Sequence, residues 1–159
     1  MTRTRWQDVL GLIGFLSLCF GAAALGSLLT APSLGDWYAR LPKPTWTPPN
    51  WLFAPVWSLL YASMAVAAWL VWRSRAESAK RSALRLFVLQ LALNVAWTGL
   101  FFAARRPGLA FVEISLLWTA ILATIGAFWR VRPLCGAILV PYLAWVSFAA
   151  ALNLAIWTM

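Results

Sequence analysis

Residues 36–57 read DWYARLPKPTWTPPNWLFAPVW and form the one long interruption in an otherwise apolar chain. The stretch holds five prolines, and each proline fixes its own backbone φ and restricts the residue before it, which disfavours helix. It also holds four tryptophans and a tyrosine, but no Gly or Ser. A flexible linker would be rich in Gly and Ser. The stretch therefore predicts a rigid loop whose aromatic rings pack on a structure beneath it.

Composition places the chain in a membrane. Of its 159 residues, 63% are hydrophobic and 11% are charged, and the mean hydropathy is +0.78. Soluble domains carry about 25% charged residues. Five apolar segments, each of about 20 residues, are long enough to cross a bilayer as helices. The prediction is an all-α, single-domain bundle of five membrane helices, at about 9–29, 51–72, 84–104, 109–129 and 134–157.

The basic residues lie between the apolar segments, where membrane proteins keep their topology signals. The net charge of +9 therefore does not indicate nucleic-acid binding. One side of the membrane receives nine basic residues: Arg3, Arg5, Arg73, Arg75, Lys80, Arg81, Arg85, Arg130 and Arg132. The other side receives Arg40, Lys43, Arg105 and Arg106. In a membrane that obeys the positive-inside rule, the amino terminus is cytoplasmic and the Pro/Trp stretch faces outward; an outer membrane would void this inference.

The third segment carries two distinct faces. Small residues recur along one stripe, which allows close approach of another helix; they are Ala92, Ala96, Gly99 and Ala103. The partner is either a second copy, in a homodimer, or a neighbouring helix of the same chain. The opposite side carries Gln90, Asn94, Trp97 and Phe101, and we expect it to face the interior of the bundle.

The second and fifth segments carry aromatic faces. Thr47 is the predicted cap of the second helix, with Pro48 in its first turn, and Phe53, Trp57 and Tyr61 then share a face. In the fifth segment Pro141, Trp145, Ala149 and Leu152 share a face, on which the large Trp145 ring lies next to the small Ala149 side chain. Such faces fit either core packing or a pocket for a flat ligand.

Glu113 is the one acidic residue inside a predicted membrane segment. It either faces protein or water within the bundle, or pairs with Arg105 or Arg106 at the membrane surface. The chain contains no His, and Cys19 and Cys135 lie far apart in apolar sequence. We therefore expect no metal site, no general acid/base or nucleophilic catalysis, and no required cofactor.

Motifs in three segments identify a family. Trp37-Tyr38, Leu41, Lys43-Pro44, Trp46, Pro48-Pro49 and Trp57 resemble the pattern WY..L.KP.W.PP.......W of the TspO/MBR family, the tryptophan-rich sensory or translocator proteins, also known as peripheral-type benzodiazepine receptors. Asn94 with Trp97, and Pro141-Tyr142 with Trp145, add two further matches. This chain has an extra proline, Pro42, before the Lys-Pro pair. The short loops and the lack of a targeting extension favour a bacterial membrane, inner or outer.

The resemblance implies a homodimeric five-helix bundle with a ligand cavity closed by the first loop. It implies that the ligands are tetrapyrroles such as protoporphyrin IX and haem, and other flat hydrophobic compounds. Carried onto this sequence, the cavity residues are Tyr38, Pro48, Phe53, Trp57, Asn94, Trp97, Trp145 and Ala149, with Trp46, Tyr61, Gln90 and Glu113 as secondary positions. The sterol-recognition pattern of animal members is absent because no basic residue follows Tyr142, which argues against cholesterol binding through that motif.

Three functions fit these residues. The first is a membrane sensor or receptor for tetrapyrroles, in which Trp57 and Trp145 stack on the macrocycle, Asn94 bonds its edge and Arg40 or Lys43 meets its propionates. The second is a photo-oxidative enzyme that degrades porphyrin with Trp57 and Trp145. The third is a tetrapyrrole transporter, for which the sequence offers no internal repeat.

Overall fold

A computed structural model describes residues 4–159, so Arg3 lies outside the described part of the chain. Its helices are α1 (Arg5–Leu34), α2 (Trp37–Arg40), α3 (Asn50–Trp72), α4 (Glu77–Thr98), α5 (Pro107–Val131) and α6 (Pro133–Thr158). All except α2 are long and apolar enough to cross a membrane, which confirms the predicted five-helix membrane protein. The prolines were expected to exclude helix from the first loop, but α2 forms one turn of helix just before the first of them, Pro42.

The five long helices form a ring. Helix α1 packs on α3, α3 on α6, α6 on α5, α5 on α4, and α4 returns to α1. One buried cluster fills most of the ring, and its large members include Met64, Phe87, Phe128 and Tyr142. A second cluster lies at the first-loop end and includes Tyr38 and Phe101. The cavity described below lies in this second cluster.

The start of α3 differs from the prediction. Pro49, in extended conformation, occupies the capping position, and the helix begins at Asn50. The Thr47 amide and hydroxyl both donate to the Pro44 carbonyl, at 3.0 and 2.8 Å. Thr47 therefore closes a turn within the loop and does not cap the helix, and Pro48 lies before the first turn. Helix α6 begins at Pro133, one residue before the predicted fifth segment.

The end of α4 departs from a regular helix. Gly99–Ala103 form a π-helical segment, and the Ala104 amide donates to the Gly99 carbonyl at 2.8 Å. This wider turn brings Phe101 and Phe102 together beneath α2, with ring centroids 4.8 Å apart. The Ser33 hydroxyl donates to the Phe102 carbonyl at 2.7 Å, which ties the end of α1 to this segment. Such π segments are frequent at functional sites.

The opposite end of the bundle is held by polar contacts. The Asp8 carboxylate pairs with the Arg73 guanidinium at 3.0 Å, and the Asp8 carbonyl accepts the Trp69 indole N–H at 2.9 Å. The guanidinium of Arg73 also lies over the Trp69 ring, 4.6 Å from its centroid. These contacts join the beginning of α1 to the end of α3, on the side that carries most of the basic residues.

The two faces of α4 separate as predicted. Gln90, Asn94 and Phe101 are buried in the bundle. On the small stripe Ala92, Ala96 and Ala103 are exposed, so for them the alternative of packing against a neighbour in the same chain is wrong. Gly99 does approach Leu29 of α1. The stripe is therefore largely free to meet another molecule, and the homodimer stays a prediction.

We expect Gly136→Ala to destabilise the bundle and Gly126→Ala not to. A Cβ at Gly136 would lie 2.7 Å from the Trp129 ring and 3.1 Å from the Ile125 carbonyl, whereas one at Gly126 meets nothing within 4 Å. Overpacking at position 136 should cost about 1–3 kcal/mol, whereas the helix propensity of Ala should make the change at position 126 neutral or favourable. Thermal unfolding in detergent measures both variants, and equal midpoints would contradict the close α5–α6 contact.

Candidate ligand-binding site

The first loop, residues 35–49, is fastened by one lysine. The Lys43 ammonium donates to the carbonyls of Tyr38, Ala39 and Leu41, at 2.6, 3.3 and 3.3 Å. These carbonyls lie at the end of α2, where a helix leaves acceptors unpaired and favours a cation. The ammonium also lies 4.7 Å from the centroid of the Tyr38 ring. Lys43 thus ties the proline-rich half of the loop to α2.

Tyr38 closes the bundle at this end. It is 4% exposed, and its ring packs on Phe101 and Phe102, with centroid distances of 6.4 and 5.5 Å. Burial raises the pKa of its hydroxyl above the ordinary value, so Tyr38 is a neutral phenol at physiological pH. The first loop therefore covers this end of the bundle, and the Tyr38 ring forms its inner surface.

A cavity of about 30 Å³ lies directly under this cover. Its walls come from α2, α3, the end of α4 and α6, and they include four predicted site residues, Tyr38, Phe53, Trp97 and Ala149. The other five lining residues were not predicted as ligand residues, although two of them, Phe101 and Leu152, lie on predicted inward faces; the five are Phe101, Phe102, Leu152, Asn153 and Ile156. This volume holds about one water molecule, whereas pockets for drug-sized ligands measure about 300–1,000 Å³. A large ligand must therefore move at least one wall.

Asn153 supplies a polar group to the cavity. Its side-chain carbonyl accepts the Trp97 indole N–H at 3.0 Å, and its amide donates to the Pro107 carbonyl at 2.8 Å. These bonds hold the Trp97 ring in place as a wall. An Asn inside an apolar segment is a signal that the sequence does contain, because polar residues in membrane helices usually pair across helices.

Asn94 and Trp57 lie deeper than this cavity. Asn94 is 1% exposed; its carbonyl accepts the Tyr61 hydroxyl at 2.6 Å, and its amide donates to the Tyr142 hydroxyl at 3.2 Å. The Tyr142 hydroxyl in turn donates to Gln90 at 2.9 Å. Trp57 packs against both tyrosines, with ring centroids 5.6 and 6.3 Å away. This buried network joins α3, α4 and α6 and forms the floor beneath the cavity.

Trp145 adjoins the cavity through Phe53, with ring centroids 5.9 Å apart. Its indole N–H is buried and has no acceptor among residues 4–159. A buried donor left unpaired costs about 1–3 kcal/mol. By contrast, the N–H groups of Trp97 and Trp118 donate to Asn153 and Ser147. Trp145 is thus held by ring packing and has a donor available.

The loop residues Trp46 and Pro48 lie nearer the rim. The half-exposed ring of Trp46 packs edge-on against Phe148 of α6, at 5.7 Å. Pro48 is partly buried. Neither residue lines the cavity.

Glu113 faces the protein interior. It is 8% exposed, and both carboxyl oxygens lack a hydrogen-bond partner within the described chain. The alternative of a surface pair with Arg105 or Arg106 is wrong, because neither arginine approaches it within ion-pair distance and both are exposed. Its position two turns into α5 carries the carboxyl group below the loop arginines. Glu113 therefore offers unused hydrogen-bonding capacity inside the bundle.

The site offers flat apolar walls and few polar groups. Cys19 and Cys135 are buried and unbonded, and residues 4–159 hold no cluster of His, Cys, Asp or Glu that could bind a metal ion. Such a site can enclose a planar hydrophobic molecule and orient it through a small number of hydrogen bonds.

Comparison with known proteins gives a consistent result. The profile of the TspO/MBR family matches residues 15–158. The translocator protein of Homo sapiens is 43% identical over 149 residues, covering 84% of this chain and 88% of that protein. The tryptophan-rich protein TspO of Chlorobaculum tepidum is 38% identical, covering 94% and 96%. The tryptophan-rich sensory protein of Cereibacter sphaeroides is 36% identical, covering 87% and 84%.

We expect Lys43→Met to loosen the first loop. The substitution removes the cation that holds three backbone carbonyls, and hydrogen bonds to a charged group contribute about 1.5–3 kcal/mol, so amide hydrogen exchange over residues 37–41 should quicken by about tenfold or more. The matched control is Arg40→Met, because Arg40 makes only an exposed ion pair with Asp36. Exchange that responds equally to both substitutions would show that Lys43 does not fasten the loop. Mass-spectrometric hydrogen exchange in lipid nanodiscs gives the rates.

Proposed function

The chain belongs to the TspO/MBR family of membrane sensor and receptor proteins, and on that premise we propose that it is a receptor that binds a tetrapyrrole beneath the first loop. The ligand is a flat, largely apolar macrocycle of the protoporphyrin or haem type. The observation that carries this proposal is the cavity itself, closed by Tyr38 and walled by Phe53, Trp97 and Ala149. Aromatic faces contact a planar macrocycle over a large area at little conformational cost.

Binding requires the closed cavity to expand. A wall that is held to its neighbour by ring packing alone can move without losing a hydrogen bond. The contact between Phe53 and Trp145 is of this kind. If those rings part, Trp145 joins the cavity and its unpaired N–H becomes available to the ligand. The network of Tyr61, Asn94 and Tyr142 would then form the floor of the enlarged cavity. In this position Asn94 and the neighbouring Trp57 would contact the ligand from below.

The two loop cations differ in their contacts. Lys43 is engaged by three backbone carbonyls, so its ammonium is committed to the cover. Arg40 is largely exposed, and among residues 4–159 its one ion-pair partner is Asp36. A ligand carboxylate at the rim would therefore meet Arg40 more readily than Lys43, and a propionate reaching upward from the cavity would compete with Asp36 for the guanidinium.

Photo-oxidation of a bound porphyrin is the second candidate function. It is favoured by the contacts of Trp57 with Tyr61 and Tyr142, which place oxidisable rings next to one another under the cavity. In this function dioxygen would be the oxidant, light would drive the reaction, and Trp57 and Trp145 would be the reacting residues. The receptor function needs only the walls of the cavity, and for that reason we place it first.

We further propose that the protein acts as a homodimer through α4. The exposed alanines of the small stripe, Ala92, Ala96 and Ala103, give a second copy room for close backbone contact within the membrane. Assembly of this kind would place the partner on the outer side of α4, away from the cavity.

We expect Ala149→Leu to weaken protoporphyrin IX binding and Ala151→Leu to leave it unchanged. Ala149 lines the cavity and is 8% exposed, whereas Ala151, on the same helix, is exposed. Three added carbon atoms would occupy the ligand's space, so the Kd should rise by about tenfold or more, or about 1.4 kcal/mol. Quenching of tryptophan fluorescence during titration of the purified protein measures the Kd. Equal affinities for the two variants would place the binding site elsewhere.

Illumination of the protoporphyrin complex separates the receptor from the enzyme. For the receptor, we expect the absorption spectrum after illumination to match that of free protoporphyrin treated in the same way. A protein-dependent product would establish photo-oxidation instead, provided that Trp57→Phe and Trp145→Phe abolish the product and retain binding. The binding titration serves as the control for both variants.

A further inference from the structure

A second concave surface lies on the outside of the bundle, along the seam between α3 and α6. It is a groove of about 410 Å³, lined by Val56, Leu59, Leu60, Pro141, Ala144 and Trp145. Trp145 lies near the middle of α6, so the groove opens toward the hydrocarbon core of the bilayer. Leu59, at 72% exposure, forms its outer edge. An apolar concavity at this depth is accessible to molecules dissolved in the membrane.

The groove and the cavity are neighbours along the same seam. Phe53 lines the cavity and Trp145 lines the groove, and their rings are in edge contact. On α3 the groove begins at Val56, one helical turn from Phe53, and on α6 Trp145 is one turn from Ala149 of the cavity. A single layer of aromatic rings therefore separates the two spaces.

The wall of the cavity on the first-loop side is held by more hydrogen bonds than the wall on the groove side. On the loop side, Lys43 holds three carbonyls and Ser33 holds the Phe102 carbonyl. On the groove side, five of the six lining side chains are aliphatic, and the buried N–H of Trp145 has no acceptor in the described chain. Displacement of the Trp145 ring breaks no hydrogen bond, and it lets the indole N–H find an acceptor.

We propose that the ligand enters from the bilayer between α3 and α6, docks first in the groove, and reaches the cavity when the Trp145 ring moves aside. The inference rests on the proposed function, because the ligand is the same flat, apolar tetrapyrrole. The macrocycle of such a molecule is apolar and can lie in the hydrocarbon core against the groove, while its propionates stay at the level of the head groups. The ring nitrogens of the macrocycle supply the acceptor that the Trp145 N–H lacks.

The test compares variants that narrow or widen the groove without touching the cavity. Ala144→Trp fills the groove, Ala137→Trp is its control on an exposed part of α6 outside the groove, and Leu59→Ala widens it. We expect Ala144→Trp to slow protoporphyrin IX association by about fivefold or more and Leu59→Ala to quicken it severalfold, with dissociation changing in step and Kd nearly constant. Stopped-flow fluorescence on the full chain in nanodiscs, with protoporphyrin IX supplied in phosphatidylcholine vesicles, gives both rates.

The outcomes separate the route from the function. If the unchanged protein does not bind protoporphyrin IX, the proposed function fails and the route fails with it. If binding is normal but Ala144→Trp, Ala137→Trp and Leu59→Ala all associate at the unchanged rate, the lateral route alone is wrong. If Lys43→Met associates faster than the unchanged protein and Leu59→Ala associates at the unchanged rate, the ligand enters through the first loop. If Ala144→Trp does not fold, Leu59→Ala and Lys43→Met decide the matter.

Discussion

The lack of water in the hydrocarbon core is the constraint on which this bundle depends. Every polar side chain there must find a partner within the protein or remain unpaired at a cost. Tyr61, Asn94, Tyr142 and Gln90 meet this requirement together, because each completes the bonding of the next across α3, α4 and α6. The network fixes the rotation of all three helices, and it thereby fixes which aromatic rings point upward toward the first loop. The cavity is a consequence of this fixed rotation.

The first loop solves a different problem, which is how to close an apolar space at a water-facing surface. Its prolines reduce the conformational freedom that closure would otherwise cost. The backbone carbonyls at the end of α2 would otherwise lack donors, and the Lys43 ammonium donates to them. A lysine that a sequence motif places at the rim thus has a structural task that is independent of any ligand.

Much of the fold followed from the sequence, because membrane helices are dictated by segment length and hydropathy, and the interior face of α4 by its polar residues. The small features did not follow. Thr47 reads as a helix cap, yet Pro49 takes that position, since two consecutive prolines keep the chain extended. The π segment at Gly99–Ala103 has no simple sequence signal, and without it Phe101 and Phe102 would not be placed together in the cavity wall. Asn153 was accessible to sequence reasoning as a polar residue in an apolar helix, whereas its bond to Trp97 depends on packing between helices.

The ends of the bundle are joined by contacts of different character. Asp8, Arg73 and Trp69 are linked by short directional bonds, which are lost after a small displacement. On the α3–α6 side of the cavity, by contrast, Phe53 and Trp145 touch edge to face with no hydrogen bond between them. If a ligand binds as proposed, expansion would therefore occur along the α3–α6 seam in the half of the protein near the first loop, and not at the opposite end. The cross-sectional area of the bundle would then increase in one leaflet of the bilayer and stay constant in the other. Ligand binding would thus make the protein more conical, and the surrounding lipids would have to adapt to the new shape.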